Sequence, residues 1–165
     1  MKDITGTTKT CALIGNPTEH SLSPTIHNSI SFMTQNDMAY TTFCVEKDDL
    51  GDAVKGAYAL GIQGMNVTVP HKENVMEHLV EVDPIAEAVG AVNTLIRVDG
   101  GFKGANTDLL GFARSLKEAG FDVKGKPACI LGAGGVARAI CFALVEAGIE
   151  SIYILYSGLY KSEAD

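Results

Sequence analysis

Short apolar runs rich in β-branched residues alternate with amphipathic stretches from Thr10 onward, and turn residues punctuate each change. This alternation restricts the chain to α/β folds: a mainly parallel sheet, helices covering it, and right-handed crossovers between strands. Residues 10–15 (TCALIG) read as a strand closed by Gly15, Asn16 and Pro17. Ser23 then supplies an N-cap, with Pro24 at the first position of a helix that reaches about Asn36. Residues 39–45 form the next strand. Residues 48–60 carry Leu50, Val54, Ala57 and Leu60 at helical spacing and end at Gly61, after which residues 62–69 return to strand.

Beyond Pro70, the pattern predicts short helices over 73–79 and 84–89 and a strand over 91–98. Asp99-Gly100-Gly101 is a turn, and 102–105 pair back across it as a hairpin. Asn106-Thr107-Asp108 looks like the cap of a helix over 109–119 ending at Gly120. A strand at 128–131, a helix at 134–147 and a strand at 151–155 complete one further βαβ unit. Length alone, 165 residues, suggests about one domain of roughly 150 residues. The order of elements refines this to a complete α/β domain over 1–105, followed over 106–165 by a linker helix and the beginning of a second domain.

Composition excludes several classes of function. Thirteen Lys+Arg against 20 Asp+Glu give a net charge of −7 with no basic run, so nucleic acid and anionic membranes are not expected partners. Apolar stretches such as 128–131 and 151–156 fall far short of the roughly 18 residues of a spanning helix. The polar N-terminus does not resemble a signal peptide. Cys11, Cys44, Cys129 and Cys141 sit in apolar runs without CxxC spacing, which reads as reduced, buried packing residues of a cytoplasmic protein. No metal-ligand spacing is present.

Gly132-Ala133-Gly134-Gly135-Val136-Ala137 fits G-x-G-x-x-[G/A] between a predicted strand and a predicted helix. In that context the first glycine permits the tight turn and the second lets backbone approach a pyrophosphate. The small Ala137 allows close helix-strand packing, and the helix N-terminus offers its free N–H groups to phosphate. The alternative is a plain tight turn. An acidic residue or an arginine at the end of the next strand would choose between NAD and NADP. Tyr156, Ser157 and Gly158 stand there, with Lys161 the nearest cation, so cofactor preference is not legible.

Four polar groups follow predicted strand ends, where open α/β sheets bind ligands. They are Ser21 with Ser23, Asn66 with Thr68 and Lys72, Asn93 with Thr94, and Asn106 with Asp108. Hydroxyls, amides, an ammonium and a carboxylate suit a polyhydroxylated acid whose every hydroxyl needs a partner. Singly, each has a plainer reading: Ser23 and Asn106 or Thr107 as helix caps, Asn93 as a turn residue, Lys72 as a solvated cation.

SLSPTIHN, NVTVPHK, GAVNT, NTD and GAGGVARA occur in that order, and through them the chain from about Cys11 to Leu155 resembles the shikimate dehydrogenase family. The resemblance implies a substrate domain facing a Rossmann domain, with shikimate in the cleft between them. It also implies NADP-linked, reversible reduction of 3-dehydroshikimate to shikimate. Ser21 and Ser23 would hold the substrate carboxylate, and Thr68, Asn93 and Asp108 its hydroxyls, with Asn66 in the same network. Lys72 would be the catalytic lysine, with Asp108 hydrogen-bonding the reacting hydroxyl and orienting it. Hydride transfer builds negative charge on the ketone oxygen, which an ammonium stabilises and then protonates. His71 reads as packing or rim.

The tail from Tyr156 to Lys161 replaces the family's Asn-Arg-Thr phosphate-binding segment, and family members continue through further Rossmann strands and a helix that packs back on the first domain. A shortened form is therefore expected, with an exposed sheet edge at 151–155 that favours a homodimer or disorder near the C-terminus. Two other functions fit these residues: a shikimate-binding module without cofactor, and an NAD-dependent quinate/shikimate dehydrogenase.

Overall fold

The computed structural model describes residues 3–156. Ser157, Gly158 and Lys161, considered above for cofactor selection, lie outside the described residues. The chain divides into two compact units, Met1–Asn106 and Thr107–Asp165.

The first unit holds β1 (Lys9–Gly15), α1 (Ser23–Met33), β2 (Met38–Cys44), α2 (Leu50–Ala59) and β3 (Gly64–Val67). A 3-10 helix (Asn74–His78), β4 (Glu81–Val82), α3 (Pro84–Val89), β5 (Thr94–Val98) and β6 (Gly101–Ala105) follow. Six strands form one sheet in the order β2-β1-β3-β5-β6-β4. β1 is parallel to both β2 and β3, and β4 is parallel to β6; β5 runs antiparallel between β3 and β6. The β-α-β-α-β start and the later hairpin are thus as the hydrophobic pattern predicts.

Alternation along β1 sends Ala12 and Ile14 into one core, where they join Met65, Val67, Leu95 and Phe102. Leu50, Val54 and Ala57, spaced four and three apart, bring the buried face of α2 onto the same core. Each fully buried side chain of this size contributes roughly 1.5–3 kcal/mol. Ala86 of α3 and Val75 of the 3-10 helix close that layer. On the opposite face Leu13 and Tyr40 are also buried, and α1 packs along β2. The result is an α/β unit with helical layers on both faces of a mainly parallel sheet.

Several boundaries differ from the sequence reading. Ser23 lies inside α1; Leu22 holds the N-cap position and makes no side-chain cap bond. Pro24 starts the helix as expected, and Ser23 N is instead taken by Ser21 Oγ at 3.2 Å. The helix predicted over 73–79 is a 3-10 turn, with Met76 N and Leu79 N each bonded three residues back, to Glu73 O and Met76 O. The strand predicted over 91–98 begins only at Thr94, since Val92 N is drawn away to Lys72 O at 2.7 Å. Two-residue β4 is too short to carry a periodic signal.

The second unit contains α4 (Asp108–Glu118), β7 (Pro127–Leu131), α5 (Gly135–Glu146) and β8 (Ser151–Leu155). β7 and β8 pair in parallel from Pro127 with Ser151 to Leu131 with Leu155. Val123, Ile130, Ala137 and Leu144 form its core, with Phe112 and Leu116 of α4 packed on them. Leu131, Tyr153 and Leu155 are largely exposed. Such a parallel pair joined by one helix is the start of a Rossmann-type sheet.

All four cysteines are free, but the expectation that they are buried is corrected. Cys44 and Cys129 are exposed and Cys11 and Cys141 half-buried. Cys44 ends the edge strand β2, and Cys129 lies on a two-stranded sheet, so an apolar run does not guarantee cover on both faces. No helix among the described residues is long and apolar enough to cross a membrane. Among the same residues no group of three or more His, Cys, Asp and Glu could hold a metal ion.

Candidate functional site

The polar residues of the first unit gather where β1 and β3 end. Gly15 closes β1 against the chain leaving β3: a Cβ at this position would overlap the Thr68 methyl and meet Val69 O at 3.0 Å. Asn16 N donates to Val69 O (2.9 Å) and Thr68 N to Ile14 O (2.9 Å), so the two strand ends are bonded to one another. Asn16–Pro17 and Val69–Pro70 are both cis peptides.

From there the main chain carries Thr68 to Lys72 in a bonded turn. His71 N donates to Thr68 O at 2.9 Å, and Val75 N to His71 O at 2.9 Å. The His71 ring is fully buried, with Nε2 at 2.8 Å from Val45 O and Nδ1 without a partner. A carbonyl only accepts, so Nε2 carries the hydrogen and His71 is a structural donor. Lys72 O accepts from Val92 N at 2.7 Å, and Asn93 O accepts from Val67 N at 2.9 Å. Thr68, Lys72 and Asn93 therefore belong to one hydrogen-bonded cluster. Asn106 is buried beside it, its Nδ2 donating to Ala91 O at 2.9 Å, while Thr107 takes the cap position of α4.

A second chain of bonds lies on the face that carries α1. Tyr40 Oη donates to Asn66 Oδ1 at 2.7 Å, and Asn66 Nδ2 makes a longer bond of 3.4 Å to Asn93 O. Thr94 Oγ1 donates to Asn93 Oδ1 at 2.8 Å. Burial pushes the Tyr40 phenol up to about 12; the nearby Cys11 thiol adds to the rise and the Ser23 hydroxyl opposes it by hydrogen bonding. Burial likewise raises the Cys11 thiol, which leaves it a poor nucleophile. Ser23, Tyr40, Asn66, Asn93 and Thr94 thus share one network, with Ser21 joined to Ser23 through its main chain.

Of the residues expected from sequence, Ser21, Ser23, Asn66, Thr68, Lys72 and Asn93 come together in the first unit; Asp108 and the glycine-rich loop belong to the second. Tyr40 escaped the sequence reading. Its signal is a tyrosine in a predicted strand, since a buried phenol needs a hydrogen-bond partner. Asn28 also escaped: it brackets the Tyr40 main chain, Nδ2 to Tyr40 O at 2.9 Å and Tyr40 N to Oδ1 at 2.9 Å.

In the second unit Gly132 has φ +112°, a conformation that side chains rarely adopt, and its N–H donates to Leu155 O at 2.8 Å. Gly134 holds the N-cap of α5 in extended conformation, with Gly135, Val136 and the buried Ala137 forming the first turn. A Cβ on Gly134 would meet nothing within 4 Å. The backbone there is open to a ligand, and Ala133 and Gly134 precede a helix of 12 residues whose N-terminal dipole favours anions. The loop fits a dinucleotide pyrophosphate.

A polar cluster at the carboxyl ends of parallel strands in one unit, and an open glycine turn on a separate βαβ unit, define the class of α/β small-molecule-binding proteins. Residues 13–95, half of the chain, match the model of the shikimate dehydrogenase substrate binding domain. The chain belongs to the shikimate dehydrogenase family. It is 52% identical over 161 residues to the NADP(+) shikimate dehydrogenase of Caldanaerobacter subterraneus, covering 98% of this chain and 58% of that protein. The Listeria monocytogenes shikimate 5-dehydrogenase, solved with shikimate and NAD, superposes with a TM-score of 0.86 at 42% identity, over 96% of this chain and 55% of that one. The Thermus thermophilus enzyme, solved with NADP(H) and shikimate, gives 0.83 at 38% identity, over 91% and 56%. The chain thus spans somewhat over half the length of the relatives it matches.

Proposed function

We propose that the chain binds shikimate and 3-dehydroshikimate in its first unit and takes part in their NADP-dependent interconversion, with NAD as the alternative cofactor. The observation that carries this reading is the bond from Val92 N to Lys72 O, which joins the lysine turn to the Asn93 segment within the matched region. Relatives named for this reaction and solved with these ligands support it.

In this reading the Ser21 and Ser23 hydroxyls donate to the substrate carboxylate, and Thr68 and Asn93 meet ring hydroxyls, with Asn66 held in the same network. The ammonium of Lys72 stabilises the negative charge that builds on the carbonyl oxygen and then donates its proton there; in reverse, neutral lysine takes the hydroxyl proton. Asp108 would hydrogen-bond the reacting hydroxyl. Gly132, Ala133, Gly134, Gly135, Val136 and Ala137 would hold the pyrophosphate of a nicotinamide dinucleotide, which supplies or takes the hydride when bound. Four free cysteines accord with a cytoplasmic setting, and a homodimer completes the reading.

Calorimetry of the 165-residue chain with shikimate, together with reduced-nicotinamide absorbance in the presence of shikimate and NADP or NAD, tests this. Binding and turnover, both lost in Lys72→Ala, are expected. Binding without turnover would reduce the function to a shikimate-binding module, and no binding would overturn the reading.

A further inference from the structure

Three residues of α1 converge on Tyr40. Asn28 holds its main chain, Nδ2 donating to Tyr40 O and Oδ1 accepting from Tyr40 N, both at 2.9 Å. His27 stacks on its ring, with centroids 4.3 Å apart and planes 14° from parallel. Ser23, one helical turn before His27 and therefore on the same stripe, hydrogen-bonds the phenol oxygen. Its hydroxyl opposes the rise of the phenol, so Ser23 donates to that oxygen, and the phenol donates onward to Asn66 Oδ1. The chain of donors therefore runs one way, from Ser23 through Tyr40 and Asn66 to Asn93 O.

The Tyr40 ring has far to reach. Tyr40 lies opposite Cys11 on β1 and Asn66 opposite Leu13, so phenol and amide meet above the strand between them. Two strand spacings, roughly 10 Å, separate β2 from β3. A side chain standing straight up from β2 would miss Asn66. The ring leans across β1 instead, backed from the helix by its stack with His27.

In the reading proposed above, on which this inference rests, Ser23 donates to the substrate carboxylate. A hydroxyl has one hydrogen, so Ser23 gives up its bond to the phenol when it does so. The stack on His27 then backs the phenol while its own bond to Asn66 persists. We propose that His27 is a positioning residue of the substrate site, holding the Tyr40 phenol on Asn66 while Ser23 turns to the carboxylate, and so favouring hydroxylated over plain cyclic carboxylates. A loosened phenol has different consequences at the two ends of the chain. The Asn66 amide loses the bond that aims it at a ring hydroxyl, whereas the Ser23 hydroxyl stays available to the carboxylate. His27 therefore acts on selectivity, through Tyr40, rather than on binding in general.

The test titrates wild type, His27→Ala and His27→Phe by NMR with shikimate and with cyclohexenecarboxylate, which keeps the carboxylate and lacks the hydroxyls. His27→Ala should weaken shikimate roughly tenfold, as expected for a polar group left badly paired, and leave the plain carboxylate within about twofold of wild type. His27→Phe restores a stacking face and should recover shikimate affinity. Near-ultraviolet circular dichroism gives a second signature without ligand, since the chain has five tyrosines and no tryptophan. The part of the tyrosine band that Tyr40→Phe removes should be lost in His27→Ala and kept in His27→Phe. Equal losses for both ligands mark a general loosening of the unit and overturn the proposal, as does a tyrosine band that His27→Ala leaves unmoved. Shikimate bound equally by wild type and His27→Ala overturns the role of His27 and leaves the reading of the site intact. A wild type that binds neither ligand overturns that reading and the role of His27 with it.

Discussion

Tyr40 Oη donates to Asn66 Oδ1 at 2.7 Å, a bond that reaches from β2 over β1 to β3. It settles which way the Asn66 amide points: with Oδ1 occupied by the phenol, the two hydrogens of Nδ2 are left for Asn93 O and for a ligand. Tyr40→Phe removes the donor while keeping the ring and its stacking on His27. Unfolding in urea should lose about 1 kcal/mol, the usual net worth of such a bond. Shikimate affinity should fall with it, as the freed amide turns. Unchanged affinity in calorimetry would show that Asn66 is oriented by something else.

The same phenol gives a pH signature. The Tyr40 phenol is raised to about 12 by burial, above its ordinary value of 10. Below pH 10 it is neutral in folded and unfolded chains alike, and its contribution is fully present. From pH 10 to about 12 the unfolded chain releases the proton while the folded chain retains it, so stability falls by up to about 1.4 kcal/mol per pH unit and levels off above. The difference between wild type and Tyr40→Phe across this window isolates the effect from the other tyrosines and the lysines. A flat difference would refute the burial of the hydroxyl.

Legibility in the sequence followed the strength of the local pattern. β1, α2 and β8 were readable because period-two and period-3.6 repeats, closed by Gly15, Gly61 or a turn, leave few alternatives. α1 is legible as a helix but not in its orientation, because the main chain of β2 takes bonds from Asn28 and Ser31, to Tyr40 O and Met38 O, where an apolar face is ordinarily expected. The candidate site residues are legible as short motifs. Their binding into one cluster is not, because it runs through main-chain atoms of Val45, Ala91 and Val92 whose side chains carry no such signal.

Gly15 is the tightest point of that cluster. Gly15→Ala would force the Thr68 methyl and the Val69 carbonyl apart, and the carbonyl belongs to backbone that cannot swing aside. Overpacking of this kind costs typically 1–3 kcal/mol. Because Thr68 moves, shikimate binding should weaken more than stability does. Calorimetry at a temperature where both proteins are fully folded separates the two; a variant that is less stable but binds normally would remove Thr68 from the ligand contacts.

The glycine-rich loop allows its folding role to be separated from its ligand role. Gly132, at φ +112°, is required by the backbone itself, so Gly132→Ala should destabilise the second unit by about 1–3 kcal/mol with or without nucleotide. Gly134 is different: its backbone is extended and an added Cβ meets nothing, so Gly134→Ala should melt within about 0.5 kcal/mol of wild type. If a pyrophosphate rests on that backbone, however, the same methyl stands where the phosphate must approach. Fluorescence titration with NADPH should then show at least a tenfold loss of affinity in a protein whose stability has not changed. Equal affinities in Gly134→Ala and wild type would leave Gly134 as an ordinary helix-start glycine and remove the loop from the cofactor site.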